Sequence, residues 1–176
     1  MPADPPADER LTHPPWKTQV CRCLDKAEQA VARYYAIRPR EWSTRFRYDL
    51  ASAADHPDLH FPASALAQIV RIEPAPADQQ RFRIVLRDEE ILRLAEEFGL
   101  EAVLELTLAH ELVHLVRFGQ GLADFEQAGS AQQAEERRVQ RIAAEALAAA
   151  EPAHAPHILE VARHLEASHR ACQPPK

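Results

Sequence analysis

The nineteen residues from Leu100 to Phe118 constrain this chain more than any other stretch. Val103, Leu104, Leu106, Leu108, Leu112, Val113, Leu115, Val116 and Phe118 make the segment apolar on nearly every side of a helix. A helix of that kind is buried, so the rest of the chain must wrap around it. Set into it are His110, Glu111 and His114. Residues four apart lie one turn apart on the same helical face, which lets two imidazoles present nitrogens to one metal ion. Glu111 projects beside them, placed to take a proton from a water that such a metal activates. Buried polar groups without partners are costly, and a metal would satisfy all three together.

At 176 residues the chain is one domain's worth, long enough to bury a core without disulfides. With a net charge of -6 and no sustained basic block, it carries no electrostatic footprint for nucleic acid. No stretch is apolar for long enough to predict a membrane span, and Met1 is followed by Pro and Asp residues rather than a secretory signal, so a cytoplasmic location is expected. Three cysteines, Cys21, Cys23 and Cys172, are a poor disulfide framework. Cys21 and Cys23 form a Cys-x-Cys pair whose alternatives are reduced thiols, a metal contact or the anchoring of an inhibitory segment.

Residues 1 to 15 hold five of the fourteen prolines and predict a disordered leader, with a single domain over 16–170 and a short disordered tail over 171–176. Val20, Leu24, Ala27, Val31 and Tyr34 recur at helical spacing, which predicts a helix from Trp16 to Arg38 that Pro39 stops. Strands are predicted over Thr44 to Leu50, Gln68 to Glu73 and, most clearly, Arg81 to Arg87, where Phe82, Ile84 and Leu86 alternate with arginines. Asp88 is expected to cap a helix running to Phe98, with Gly99 as the break before the motif helix and Gly119 as a cap after it. Ala131 to Ala150 and 157–170 predict two further amphipathic helices. The tail histidines His154, His157, His164 and His169 are expected to be solvated.

A catalytic zinc takes three protein ligands and keeps one position open. The third ligand must come from elsewhere, and Glu136, on a helix reached through a glycine-containing loop, can fold back to the metal. Glu135 competes, and geometry alone does not separate the two. Here Thr107-Leu108-Ala109-His110-Glu111-Leu112-Val113-His114, with Glu136-x-x-Val139-Gln140-x-Ile142-Ala143-Ala144-Glu145 downstream, resembles the gluzincins, most nearly the minigluzincins and the ImmA/IrrE peptidases. Val139, Gln140 and Ile142 stand where that family usually has Ala, Asn and Phe. SprT-like proteases share the order of elements, but four carboxy-terminal cysteines for their zinc ribbon are absent.

The resemblance implies an α+β, zincin-like fold: a small, mostly antiparallel sheet, an active-site helix and a glutamate helix. It implies Zn2+ held by His110, His114 and Glu136, Glu111 as general base, and the strand Arg81 to Arg87 as the edge that pairs with extended substrate. Glu135 would then lean towards solvent, where Arg138 or Arg141 could meet it. The expected function is a zinc-dependent endopeptidase acting on a peptide or protein substrate. The competing readings are a regulatory or binding protein on the same scaffold and a latent protease whose leader or last helix lies in the cleft. The sequence assigns no oligomeric state.

Overall fold

The computed structural model describes residues 14–72 and 81–171. The expected leader and tail, and Cys172, lie outside the described residues except where residues 14, 15 and 171 belong to helices. The fold is α+β, with six helices and one small sheet among the described residues.

Helix α1 (Pro14–Tyr34) presents Val20, Cys23, Ala27, Ala30 and Val31 to the core. Pro39 does not stop it. The amide of Ile37 donates to Ala32 O at 2.8 Å and that of Ala36 to Arg33 O at 3.2 Å, with Ala36 at φ 53°. This is the six-to-one and five-to-two pattern that closes a helix with one left-handed residue. Pro39 instead opens a short helix, α2 (Pro39–Arg45), at the first helical turn, where its fixed φ is suited and its missing N–H costs nothing. The first strand therefore begins three residues later than the alternation predicts: Thr44 closes α2, its hydroxyl donating to Arg40 O at 2.9 Å.

Strands β1 (Arg47–Ser52), β2 (Ala67–Ile72) and β3 (Arg81–Leu86) form a sheet in the order β1-β3-β2. β3 pairs parallel with β1, Arg47 opposite Arg81, and antiparallel with β2, Ala67 opposite Leu86. The sheet is thus mixed, not mostly antiparallel, because β3 inserts between two strands that precede it. That insertion also corrects the edge assignment: β3 is central, with Ile84 and Val85 both fully buried, and β2 is an edge.

Helix α3 (Asp88–Phe98) starts one residue before the expected cap would allow, with Arg87 at the cap and Asp88 inside the helix. Asp88 is buried and accepts from the Ser52 hydroxyl, which ties the end of β1 to the start of α3. Burial pushes its carboxyl up, partly offset by that hydrogen bond. Gly99, at φ 79°, breaks the chain between α3 and the motif helix α4 (Leu100–Gly119).

Helix α4 is the axis of the domain. Fifteen of its residues are buried, against α1 and α3 on one side, β2 on another, and α5 (Gly129–Ala150) and α6 (Ala155–Ala171) beyond. Each fully buried leucine on it contributes on the order of 1.5–3 kcal/mol. Its amino-terminal acids are met from outside: Lys26 Nζ of α1 lies 2.7 Å from Glu101, 2.9 Å from Glu105 and 3.2 Å from Glu151 at the end of α5. Gly119 is the last helical residue, not a left-handed cap. A Cβ there would sit 2.7 Å from Cε1 of the buried Phe46, so glycine is required for close approach.

The tail histidines are not all solvated. His154 is exposed, 3.0 Å from its near neighbour Glu151, as expected of a solvated residue; His157 donates to Phe98 O and the His164 ring packs 4.9 Å from Phe98, so these two dock α6 onto α3. No described helix is long and apolar enough to cross a membrane.

Candidate metal centre

Helical spacing sets His110 and His114 on one face of α4, their ring centroids 4.9 Å apart. Helix α5 crosses that face and brings Glu136 to both rings: His110 Nε2 is 3.2 Å from Glu136 Oε2 and His114 Nε2 is 3.3 Å from Oε1. One ligand atom from each residue lies within 4.8 Å of the others. Glu111 is buried on the same helix and lines the same cavity, of about 400 Å3, whose other walls are β2 with the loop before it, α5, and Leu165 and His169 of α6.

Glu135 is elsewhere. It does not lean to solvent but is buried at 5% exposure, its carboxylate accepting from Arg117 Nε and, at 3.0 Å, from Nη2. Arg138 approaches it only at 3.8 Å. Successive helical residues point roughly 100° apart, which lets neighbouring glutamates serve an ion pair and the histidine cluster separately.

The donor set fits a metal. His110 donates Nδ1–H to Gln140 Oε1 at 2.9 Å, which leaves Nε2 of the neutral ring a bare lone pair. That lone pair faces a carboxylate oxygen, a second acceptor. Two acceptors in contact, one on a largely buried ring and one on a half-exposed carboxylate, call for a cation between them, either a proton or a metal ion. The tetrahedron set by zinc–nitrogen and zinc–oxygen bonds of about 2.0–2.1 Å has edges of roughly 3.3 Å, matching both nitrogen–oxygen separations.

Electrostatics states the same demand. Burial works to lower the His110 pKa, yet the Glu136 carboxylate and the Glu111 charge outweigh it and bring it to about 9. Burial likewise works to raise Glu136, but hydrogen bonds to His110 and His114 hold it well below the usual carboxylate range. Burial raises Glu111, with the two histidines partly opposing, so this carboxylate has an increased appetite for a proton.

The two histidines are oriented differently. His110 is fixed by Gln140, whereas His114 Nδ1 is buried with no hydrogen-bond partner among the described residues. The His114 ring is held by stacking on Phe118 at 5.5 Å and 18°.

Other sequence candidates do not reach the site. Cys23 is buried, its thiol pushed by burial up to about 12, and Cys21 is exposed, so the pair does not present two sulfurs to one ion. The α1 tyrosines, whose hydroxyls could otherwise serve a transition-state oxyanion, are also elsewhere: Tyr34 is exposed beside Glu145 and Tyr35 lies by Arg117, and neither lines the cavity. Sequence reasoning missed Gln140 as a histidine partner, although it lies one turn after Glu136 on the same face, and missed His169, which enters only because α6 folds over the cavity. Compared with family models, with curated proteins and with solved structures, the chain has no match.

Proposed function

We propose that this protein is a zinc-dependent endopeptidase of gluzincin type, with His110, His114 and Glu136 as metal ligands and Glu111 as general base. The observation that carries the reading is the convergence of donor atoms of His110, His114 and Glu136, in one cavity with Glu111, a buried carboxylate that has no ion-pair partner of its own among the described residues. Zinc, when bound, would supply a Lewis acid that lowers the pKa of a water towards ~7 and polarises a carbonyl. Gln140 keeps the His110 ring in the tautomer that offers Nε2. Glu111 takes the proton of the attacking water and passes it to the leaving amine, a transfer suited to a carboxylate whose proton affinity is raised by burial.

The peptide class of substrate is supported by β2. Among the described residues its outer edge is unpaired in the sheet, and Ala67, Gln68 and Ile69 line the cavity, so an extended peptide can add as a further strand. Helix α6 walls this space without filling it.

The test is Glu111→Gln. It should keep one zinc per chain and the wild-type fold while losing cleavage of any peptide that the wild type cleaves. Retained cleavage removes Glu111 from the mechanism. Substoichiometric zinc in the wild type, unchanged in His110→Ala and His114→Ala, removes the metal site.

A further inference from the structure

The cavity differs chemically at its two ends. Past His114 the wall is carbon, with Ile69, Phe118 and Phe125, the two phenyl rings 5.2 Å apart. Past His110, one turn earlier on α4, two polar side chains join Leu106 in the wall. Thr107 of α4 and Gln140 of α5 line it there, each 4% exposed. Thr107 Oγ1 has no hydrogen-bond partner among the described residues, not even the carbonyl one turn back that a helical threonine usually takes. Gln140 gives Oε1 to His110, and its Nε2 has no acceptor among the described residues. Buried polar atoms left open in this way are regained by a ligand that completes them.

The unmet needs define the ligand. Gln140 Nε2 needs an acceptor, and the Thr107 hydroxyl can donate or accept. An ammonium group offers only donors and leaves the Gln140 N–H unmet. A carboxylate would bring a charge to an end of the cavity that no Lys or Arg lines among the described residues, and it has no N–H to offer Thr107. A carboxamide offers one oxygen to Gln140 and one N–H to Thr107 without charge.

Resting on the peptidase reading, we propose that Thr107 and Gln140 form a specificity subsite for an asparagine or glutamine side chain next to the scissile bond, with the Phe118–Phe125 wall taking an apolar residue on the other side. The proposal requires the Thr107 hydroxyl and the Gln140 N–H, both enclosed in the free protein, to meet the ligand while Gln140 Oε1 stays on His110.

The experiment reads binding, not turnover. Zinc-loaded full-length protein is titrated calorimetrically with peptide hydroxamates that differ only in one side chain, Gln, Glu or Leu, placed in one series on the acyl side and in a second on the amine side. In one series Gln is expected to bind about tenfold or more tightly than Leu or Glu. Thr107→Val should shrink that preference to about threefold or less, and Thr107→Ser should keep it. Equal affinities in both series, a preference for Leu or Glu, a preference unmoved by Thr107→Val, or no binding at all would each overturn the proposal. Cleavage lost or kept in Glu111→Gln bears on the peptidase reading separately, so the two can fail independently.

Discussion

Adjacent glutamates on α5 have opposite assignments, and replacing each with alanine separates them. In Glu135→Ala the Arg117 guanidinium stays buried with its carboxylate gone, left with a 3.3 Å contact to Leu122 O and the neutral Tyr35 hydroxyl beside it. Both side chains of that pair are more than nine-tenths buried, so solvent replaces little of what is lost. Stranding one member of a buried pair costs about 3–5 kcal/mol. For a chain of this length each kcal/mol is worth roughly 2–4 °C in Tm, so a fall of about 6–20 °C is expected. Glu136→Ala removes a half-exposed carboxylate shared by two histidines and should lower the Tm of metal-free protein far less. The order inverts for metal: zinc affinity should collapse in Glu136→Ala, while Glu135→Ala still binds one zinc below its melting point. Calorimetric unfolding of metal-free protein and a competition titration with a zinc chelator measure the two effects. Replacing both members of the ion pair, Glu135→Leu with Arg117→Met, should recover most of the lost stability, since apolar residues leave no stranded charge. A larger loss of zinc affinity in Glu135→Ala than in Glu136→Ala reverses the ligand assignment, and a Tm change under about 2 °C in Glu135→Ala refutes the stranded-charge argument.

Gly119→Ala forces a Cβ to 2.7 Å from the Phe46 ring, so a loss of about 1–3 kcal/mol should appear in denaturant unfolding. Ala36→Gly should do the reverse, stabilising by about 0.5–1 kcal/mol, because Ala36 holds a left-handed conformation that glycine adopts without strain. Asp49 accepts two hydrogen bonds from Arg83, at 2.7 and 2.9 Å, and chiefly through them its carboxyl is held below its usual range. A depressed carboxyl stabilises the fold above its unfolded pKa of about 3.9 and loses that contribution as pH falls through the lower folded value. Asp49→Asn should therefore be less stable than wild type at pH 7 by about 1 kcal/mol or less, since the pair is partly exposed, and the gap should close in acid.

How much of this was legible depends on whether the signal is local. The motif helix could be read because a run of leucine and valine at every azimuth leaves a soluble chain no choice but to bury it. The last two helices followed from their periodicity. The end of α1 was misread because Pro39 is the conspicuous breaker, whereas the chain stops earlier on hydrogen bonds closed by an alanine, a residue that gives no turn signal. The edge strand was misread because alternation identifies a strand but not its neighbours, and β3 enters between two strands already laid down. The resemblance pointed to Glu136 and left Glu135 for solvent, since nothing near Glu135 in sequence reveals that Arg117 is its partner across the helix pair.

That ion pair bears on the proposed metal centre without touching it. His110, Glu111, His114 and Arg117 fall within about 120° of one another around α4, so an interior helix carries a polar seam, with Glu105 on the opposite side. Glu105 is met by Lys26 of α1, and the seam is met by α5 through Glu135, Glu136 and Gln140. The buried face of α5 mixes small residues, Ala143, Ala144 and Ala146, with Val139, Ile142 and Leu147, and apolar packing of this kind is not directional. The Arg117–Glu135 pair and the His110–Gln140 hydrogen bond, one on each side of Glu136, resist a roll of α5 by directional contacts. With both in place the Glu136 carboxylate has one azimuth, opposite the two imidazoles, and the lone pairs stay facing whether or not a cation is between them. A buried ion pair of this kind adds little net stability over apolar residues of the same size. Its contribution is orientation, which a metal site held by three side chains from two helices requires.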